Sequence, residues 1–243
     1  MTMANFVLVG GAWLGGDAWD EVVNELRARG HEVYPLTLPG LGDRQAEATP
    51  ETDLDAYVAD ATAQIESERV DDVILVGHSY SGIVVTGVAD RIPVRLRALV
   101  YCDSAPFSDG EAYVDVMPPA AREGLRATVD AYGDGWMLPV PDLAAFGAST
   151  RGLDDQRRAS LLEKMAPQPF ATWTQPLRLQ GTNRTYRRVV IACDDMRGMV
   201  AAGIPRMVEL TREPWEWIDI ETGHWPMASA PGELAAALQR IAS

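Results

Sequence analysis

Lys164 is the only lysine in this chain of 243 residues, and the other basic side chains are arginines. Chemistry that needs a second lysine is thereby excluded, and a Schiff-base mechanism is not expected. Basic residues of either kind are scarce against 35 Asp and Glu, which leaves a formal net charge of -14. A surface of that sign repels phosphate backbones and anionic lipid, so neither nucleic acid nor a membrane is expected as a partner and a neutral substrate fits better. Cysteine is nearly absent. Cys102 and Cys193 each end an apolar run, and if those runs are neighbouring strands a single bridge is geometrically conceivable. Reduced thiols in the cytoplasm are the simpler reading. No apolar run approaches the roughly 20 residues of a spanning helix, and Met1 to Asn5 brings no positive side chain ahead of Phe6 to Val9. These absences predict a cytoplasmic protein.

What the sequence does have is core. Nearly half its residues, 47%, are apolar, and no linker or charge block divides it, so one domain over residues 1–243 is expected. Phe6 to Val9 reads as a first strand, closed by the glycine-dense loop Gly10-Gly11-Ala12-Trp13-Leu14-Gly15-Gly16. That loop has neither the spacing of a dinucleotide fingerprint nor the Gly-Lys-Ser/Thr of a phosphate loop, so its use is to supply a backbone N–H. No cofactor or metal is expected. Trp19, Val22, Val23 and Leu26 then recur with helical period, with Asp17 placed to cap the start and Gly30 to stop the helix. Glu32 to Leu38 is a second strand, and Leu54, Tyr57, Val58, Ala61 and Ile65 make the next helical stripe. Val73 to Val76, Leu96 to Tyr101, Tyr186 to Cys193 and Trp215 to Ile220 are the remaining strands, and Leu234, Leu238 and Ile241 mark a closing helix with Pro231 near its start. Alternating strands and helices predict an α/β fold, a six-stranded parallel doubly wound sheet of order 2-1-3-4-5-6. About residues 107–186 the pattern breaks into prolines, short helical patterns and the aromatics Trp136, Phe146, Phe170 and Trp173. We read this stretch as an inserted helical cap, whose aromatics either form a local core or line a pocket.

The organising stretch is Gly77-His78-Ser79-Tyr80-Ser81-Gly82, which directly follows a buried-looking strand and leads into a helix. This is the context of a nucleophile elbow with Ser79 as its serine, although Ser81 stands where the usual G-x-S-x-G pattern has its second glycine. A serine hydroxyl is a poor nucleophile and needs a base, which in turn needs a carboxylate to fix its tautomer. Three histidines are available. His31 lies at a helix-strand junction and is expected on the surface, His78 is too close to Ser79 to serve it and reads as elbow support, and His224 follows the last strand, where an open sheet presents ligand-facing groups. The oxyanion of an acyl-transfer intermediate needs two N–H donors. Tyr80, after the nucleophile, supplies one, and Ala12 in the loop after the first strand supplies the other.

These segments, with Tyr101-Cys102-Asp103-Ser104 and Thr222-Gly223-His224-Trp225-Pro226-Met227, together resemble the α/β-hydrolase branch of bacterial carboxylesterases, plant methylesterases and hydroxynitrile lyases. The resemblance covers the sheet and does not extend to the cap. It implies a cofactor-free serine hydrolase that cleaves a small or medium, partly apolar carboxylic ester through an acyl-enzyme. Plant relatives carry the acid in a Cys-x-x-Asp-Lys pattern, absent after Cys193, whereas many bacterial relatives show an Asp that Asp103 matches. Asp103 is therefore the expected acid, with Asp195 and then Asp194 as alternatives. Two other functions stay open, a hydroxynitrile-lyase-like enzyme, whose plant form needs a lysine missing here, and a weakly catalytic ligand-binding protein. The expected partner is a small-molecule ester, and a homodimer is left open.

Overall fold

The computed structural model describes residues 3–182 and 185–243. Six strands form one parallel sheet: β1 (Asn5–Val9), β2 (Glu32–Leu36), β3 (Val73–His78), β4 (Leu96–Cys102), β5 (Arg187–Ala192) and β6 (Trp215–Asp219). Their order is β2-β1-β3-β4-β5-β6, as the sequence predicts. Registers run Val9 to Gly77, His78 to Cys102 and Cys102 to Ile191, so the carboxyl ends of the central strands, and the loops that leave them, share one edge. The winding reverses between β1 and β3, which makes that edge a crevice. β3 is buried along its whole length, as a strand covered on both faces must be.

The main-sheet helices follow from the apolar spacing. In α1 (Asp20–Ala28) the residues Val22, Val23 and Leu26 face inward, and Gly30, at φ 86, lets the chain turn back. Asp17 does not cap this helix: it sits inside a 3-10 turn, Gly16–Trp19, that precedes α1, and no side chain caps either start. In α2 (Leu54–Ser67) all five predicted stripe residues are buried, and Asp53 caps the helix by accepting the Ala56 N–H at 2.9 Å. α3 (Ser81–Arg91) is buried on almost every side, which explains a sequence of small and β-branched residues without a polar face. Its neighbours cover every residue but the last, Arg91.

His31 is not on the surface. Its ring is buried, accepts the Ala4 N–H at Nδ1 (3.2 Å), pairs Nε2 with Gln239 (2.9 Å) and meets the edge of Phe6. Position at a junction misled because the junction is roofed by the closing helix, α8 below. Cys102 and Cys193 are both buried and unbridged.

Between β4 and β5 lie α4 (Pro119–Tyr132), α5 (Asp155–Glu163) and a two-stranded ribbon of Met137–Leu138 with Gln168–Pro169. Of the expected 107–186 insertion, Asn183 and Arg184 fall outside the described residues. Its aromatics make a local core: Trp173 stacks on Tyr80 (5.1 Å) and contacts Trp13 (5.5 Å), and Trp13 meets Phe146 (5.3 Å). After β5 come α6 (Asp194–Ala201) and α7 (Pro205–Glu209), and α8 (Pro231–Ala242) closes the fold with Pro231 in its first turn. The last α8 carbonyls are satisfied by arginines from the sheet, Arg187 on Ile241 (2.7 Å) and Arg97 on Ala242 (3.0 Å). No helix among the described residues is long and apolar enough to cross a membrane.

Candidate active site

At the end of β3 the backbone reverses through Ser79, whose φ of 49 is rare outside glycine. Such a conformation costs about 1–3 kcal/mol and persists only when its surroundings hold it. Here the Ser79 N–H donates to Cys102 O (3.0 Å), and Ser79 O accepts from the Gly82 N–H (3.0 Å) and from Ser104 Oγ. Gly82 has to be glycine, since a Cβ there would lie 2.2 Å from Ser104 Oγ. Ser81, the departure from the usual pattern, has work of its own: it is fully buried and donates its hydroxyl to Gly10 O, tying the elbow to the glycine loop.

His224 stands across from this turn. Its Nε2 is 2.8 Å from Ser79 Oγ, and its Nδ1 is 2.7 Å from Asp103 Oδ2. The same Nδ1 also lies 3.2 Å from Asp195 Oδ2, so two carboxylates face one nitrogen. Asp103 is the better anchored. Its side chain has no exposed surface, its backbone sits at φ 45, and its Oδ1 accepts the Cys193 and Met196 N–H groups at 3.0 Å each. Those are free donors at the start of α6, so Asp103 both caps that helix and points at His224. Asp195 is about a quarter exposed, and its Oδ1 accepts the Ser149 N–H at 3.0 Å. Asp194 turns away, to Arg197 (2.6 Å) and Ser149 Oγ (2.9 Å).

Burial of the His224 ring disfavours its charge, but hydrogen bonds and charges from Asp103 and Asp195 outweigh that and raise its pKa to about 9. For Asp195, burial pushes upward, and the His224 contact and Ser149 N–H more than offset it, holding the carboxyl below its ordinary value. His78 behaves in the opposite way. Full burial and the neighbouring His224 lower its pKa to about 3, so it is neutral, and its Nε2–H donates to His224 O at 2.7 Å. It supports the histidine loop as much as the elbow.

Gly11 completes the crevice: a Cβ on it would come within 3.3 Å of the Ser79 Cβ and 2.5 Å of His78 Nδ1. Trp13 follows at φ 65, its N–H donating to the buried Gln168 side chain at 3.0 Å. Among the described residues, the Ala12 and Tyr80 N–H groups have no protein acceptor. A cavity of about 470 Å³ opens above, lined by Ser79, His224, Tyr113, Phe107 and methionines of α6 and α7. Burial raises the Tyr113 pKa to about 12, with the Ser79 hydroxyl pulling the other way. Asp103, Asp195 and His224 are also the one group among the described residues whose ligand atoms, within 4.8 Å of one another, have metal-site spacing. A proton on Nδ1, shared by two carboxylates, satisfies the same atoms without an ion.

Sequence reasoning missed Tyr113, Ser149 and the α6-α7 lining, and it gave no role to Ser104 or Ser81, of which Ser81 carried a signal, its replacement of a glycine. Trp136, Phe146, Phe170 and Trp173 are not among the residues lining this cavity.

A model of the alpha/beta hydrolase family matches residues 6–237. The carbendazim hydrolyzing esterase of Nocardioides sp. (strain SG-4G) is 34% identical, with 98% of this chain and 100% of that one covered. Methylesterase 10 of Arabidopsis thaliana is 26% identical over 98% of this chain and 92% of its own, and the pyrethroid hydrolase of Sphingobium wenxiniae 25% over 100% and 89%. Among solved structures, an extracellular alpha/beta-hydrolase from a Paenibacillus species superposes with a TM-score of 0.82 at 21% identity, covering 98% of both chains. The chain thus belongs to the alpha/beta hydrolase family and is an ester hydrolase of the carboxylesterase type within it.

Proposed function

We propose that this is a serine esterase in which Ser79 is the nucleophile, His224 the general base and Asp103 the acid that orients it. The observation that carries the reading is the unbroken line from Ser79 Oγ to His224 Nε2 (2.8 Å) and from Nδ1 to Asp103 (2.7 Å). Ser79 Oγ attacks the ester carbonyl carbon as its proton passes to Nε2. The tetrahedral oxygen gains negative charge and accepts from the Ala12 and Tyr80 N–H groups, which no protein acceptor occupies among the described residues. Each such donor is worth about 10² to 10³ in rate. Collapse breaks the bond to the alcohol, which leaves with the Nε2 proton, and water then repeats the sequence on the acyl-enzyme to release the acid and free Ser79.

The substrate is a small or medium carboxylic ester with apolar parts, in keeping with a cavity of about 470 Å³ walled by methionine and aromatic side chains. We further propose that the chain works as one domain with residues 107–186 as its cap. Buried, unbridged Cys102 and Cys193 fit a cytoplasmic setting. Labelling with a fluorophosphonate and mass mapping of the adduct tests nucleophile and activation together. The adduct is expected on Ser79 and is lost in Ser79→Ala; a label elsewhere, or none, overturns the reading.

A further inference from the structure

The cavity above Ser79 carries an ion pair that the acyl transfer does not use. Arg206, on α7, donates to both oxygens of Glu111, at 2.8 and 3.0 Å, and also to Pro106 O. Its guanidinium lies over the Phe107 ring, 5.0 Å from the centroid. Arg206 and Glu111 line the same cavity as Ser79 and His224. Among the described residues lining it, Arg206 is the only lysine or arginine, whereas four carboxylates do so: Asp103, Glu111, Asp115 and Asp195.

An arginine fork facing a cavity ordinarily receives a carboxylate in two parallel hydrogen bonds. Here that place is already filled from within the chain, and an incoming anion would meet the surplus of acids in a partly desolvated space. We infer that Glu111 masks Arg206 and so determines specificity: the site takes esters whose acyl part is uncharged and rejects those bearing a second, free carboxylate. This rests on the Ser79 esterase reading. The masking contacts are half-buried, each side chain being 29% exposed, so Glu111 is reachable from the cavity and its removal uncovers the fork to a ligand.

The test compares dimethyl adipate with monomethyl adipate, which share a chain and differ in charge. The wild type is expected to prefer the diester strongly in kcat/KM. In Glu111→Gln and Glu111→Ala the preference should shrink by about tenfold or more, the factor one charge-assisted hydrogen bond corresponds to, and mainly through the KM of the monoester. Adding Arg206→Met to Glu111→Gln should restore the wild-type preference, because the uncovered cation is then gone. A wild type that takes both esters alike, a preference unmoved in both Glu111 variants, or a gain that survives Arg206→Met overturns the inference. Hydrolysis of p-nitrophenyl acetate by Ser79→Ala at the wild-type rate would instead sink the Ser79 reading, and the ratio of the two adipates would still be measured.

Discussion

At His224, burial and two carboxylates act in opposite directions on one ring. The carboxylates win, and the pKa stands at about 9. Only the neutral ring can accept the Ser79 proton, so kcat/KM for a p-nitrophenyl ester should rise with pH through an inflection near that value. Asp195→Asn removes one of the two groups that raise it and should move the inflection to lower pH, with the plateau within a few-fold of wild type. Asp103→Asn should fold yet lose about 10⁴ in kcat, as expected when the imidazole tautomer is wrong. An unmoved inflection in Asp195→Asn would show that Asp195 does not raise the His224 pKa, and a greater loss there than in Asp103→Asn would transfer the acid role to Asp195. The sequence made Ser79 and His224 legible because a turn motif and a late loop each fix a position. It left the acid open because Asp103 and Asp195 follow neighbouring strands, and chain order does not say which carboxylate is buried.

Elements were legible where one period ran long enough. The strand order follows from alternation and an early first strand, and the α2 stripe is buried residue for residue. Short pieces were not. The 3-10 turn that displaces Asp17 has too few residues for a period, and α6 and α7, which wall the cavity, are 8 and 5 residues long. Nor could spacing reveal that Ser149, deep in the irregular stretch, accepts the His224 N–H at 2.8 Å and donates to Asp195 at 3.0 Å. Gly223 permits this approach: a Cβ on it would lie 2.4 Å from Ser149 O and 2.7 Å from Arg151 N, both backbone atoms that cannot swing aside. Gly223→Ala should therefore push the 149–151 segment off the histidine loop and cost about 10² in kcat, the loss expected for a misplacement of about 1 Å, with little change in KM. Steady-state kinetics beside a thermal melt checks this. A normal kcat at unchanged Tm would mean that the segment does not position His224.

Over the whole molecule, the two buried histidines in the site set opposite limits on stability. His224 has a folded pKa raised from 6.5 to about 9, so the stability it contributes is fully present below pH 6.5 and is lost as pH rises toward 9. His78 has a folded pKa lowered from 6.5 to about 3, so its contribution is present above pH 6.5 and is lost as pH falls toward 3. Carboxylates held low, such as Asp90 beside the Gln180 and Thr182 N–H groups, add a loss only below their ordinary value of 3.8. The buried thiols of Cys102 and Cys193, raised by burial, add one only above 9.0. Asp17, whose carboxyl burial holds above 3.8, adds a loss as pH climbs past that value; against it the two histidines set the limbs, and Tm should peak near pH 6.5, declining on both sides. His224→Gln should flatten the limb between pH 6.5 and 8.5 and keep an acid limb that is shallower, because the His224 charge that helps burial to hold the His78 pKa down is gone, whereas His78→Gln should remove the acid limb and keep the alkaline one, its amide still able to donate to His224 O. Thermal melts of the three proteins from pH 4 to 9 separate the limbs. A wild-type Tm that climbs steadily from pH 6.5 to 8.5, or an alkaline decline that persists unchanged in His224→Gln, would show that the two carboxylates do not stabilise a charged His224 in the folded protein.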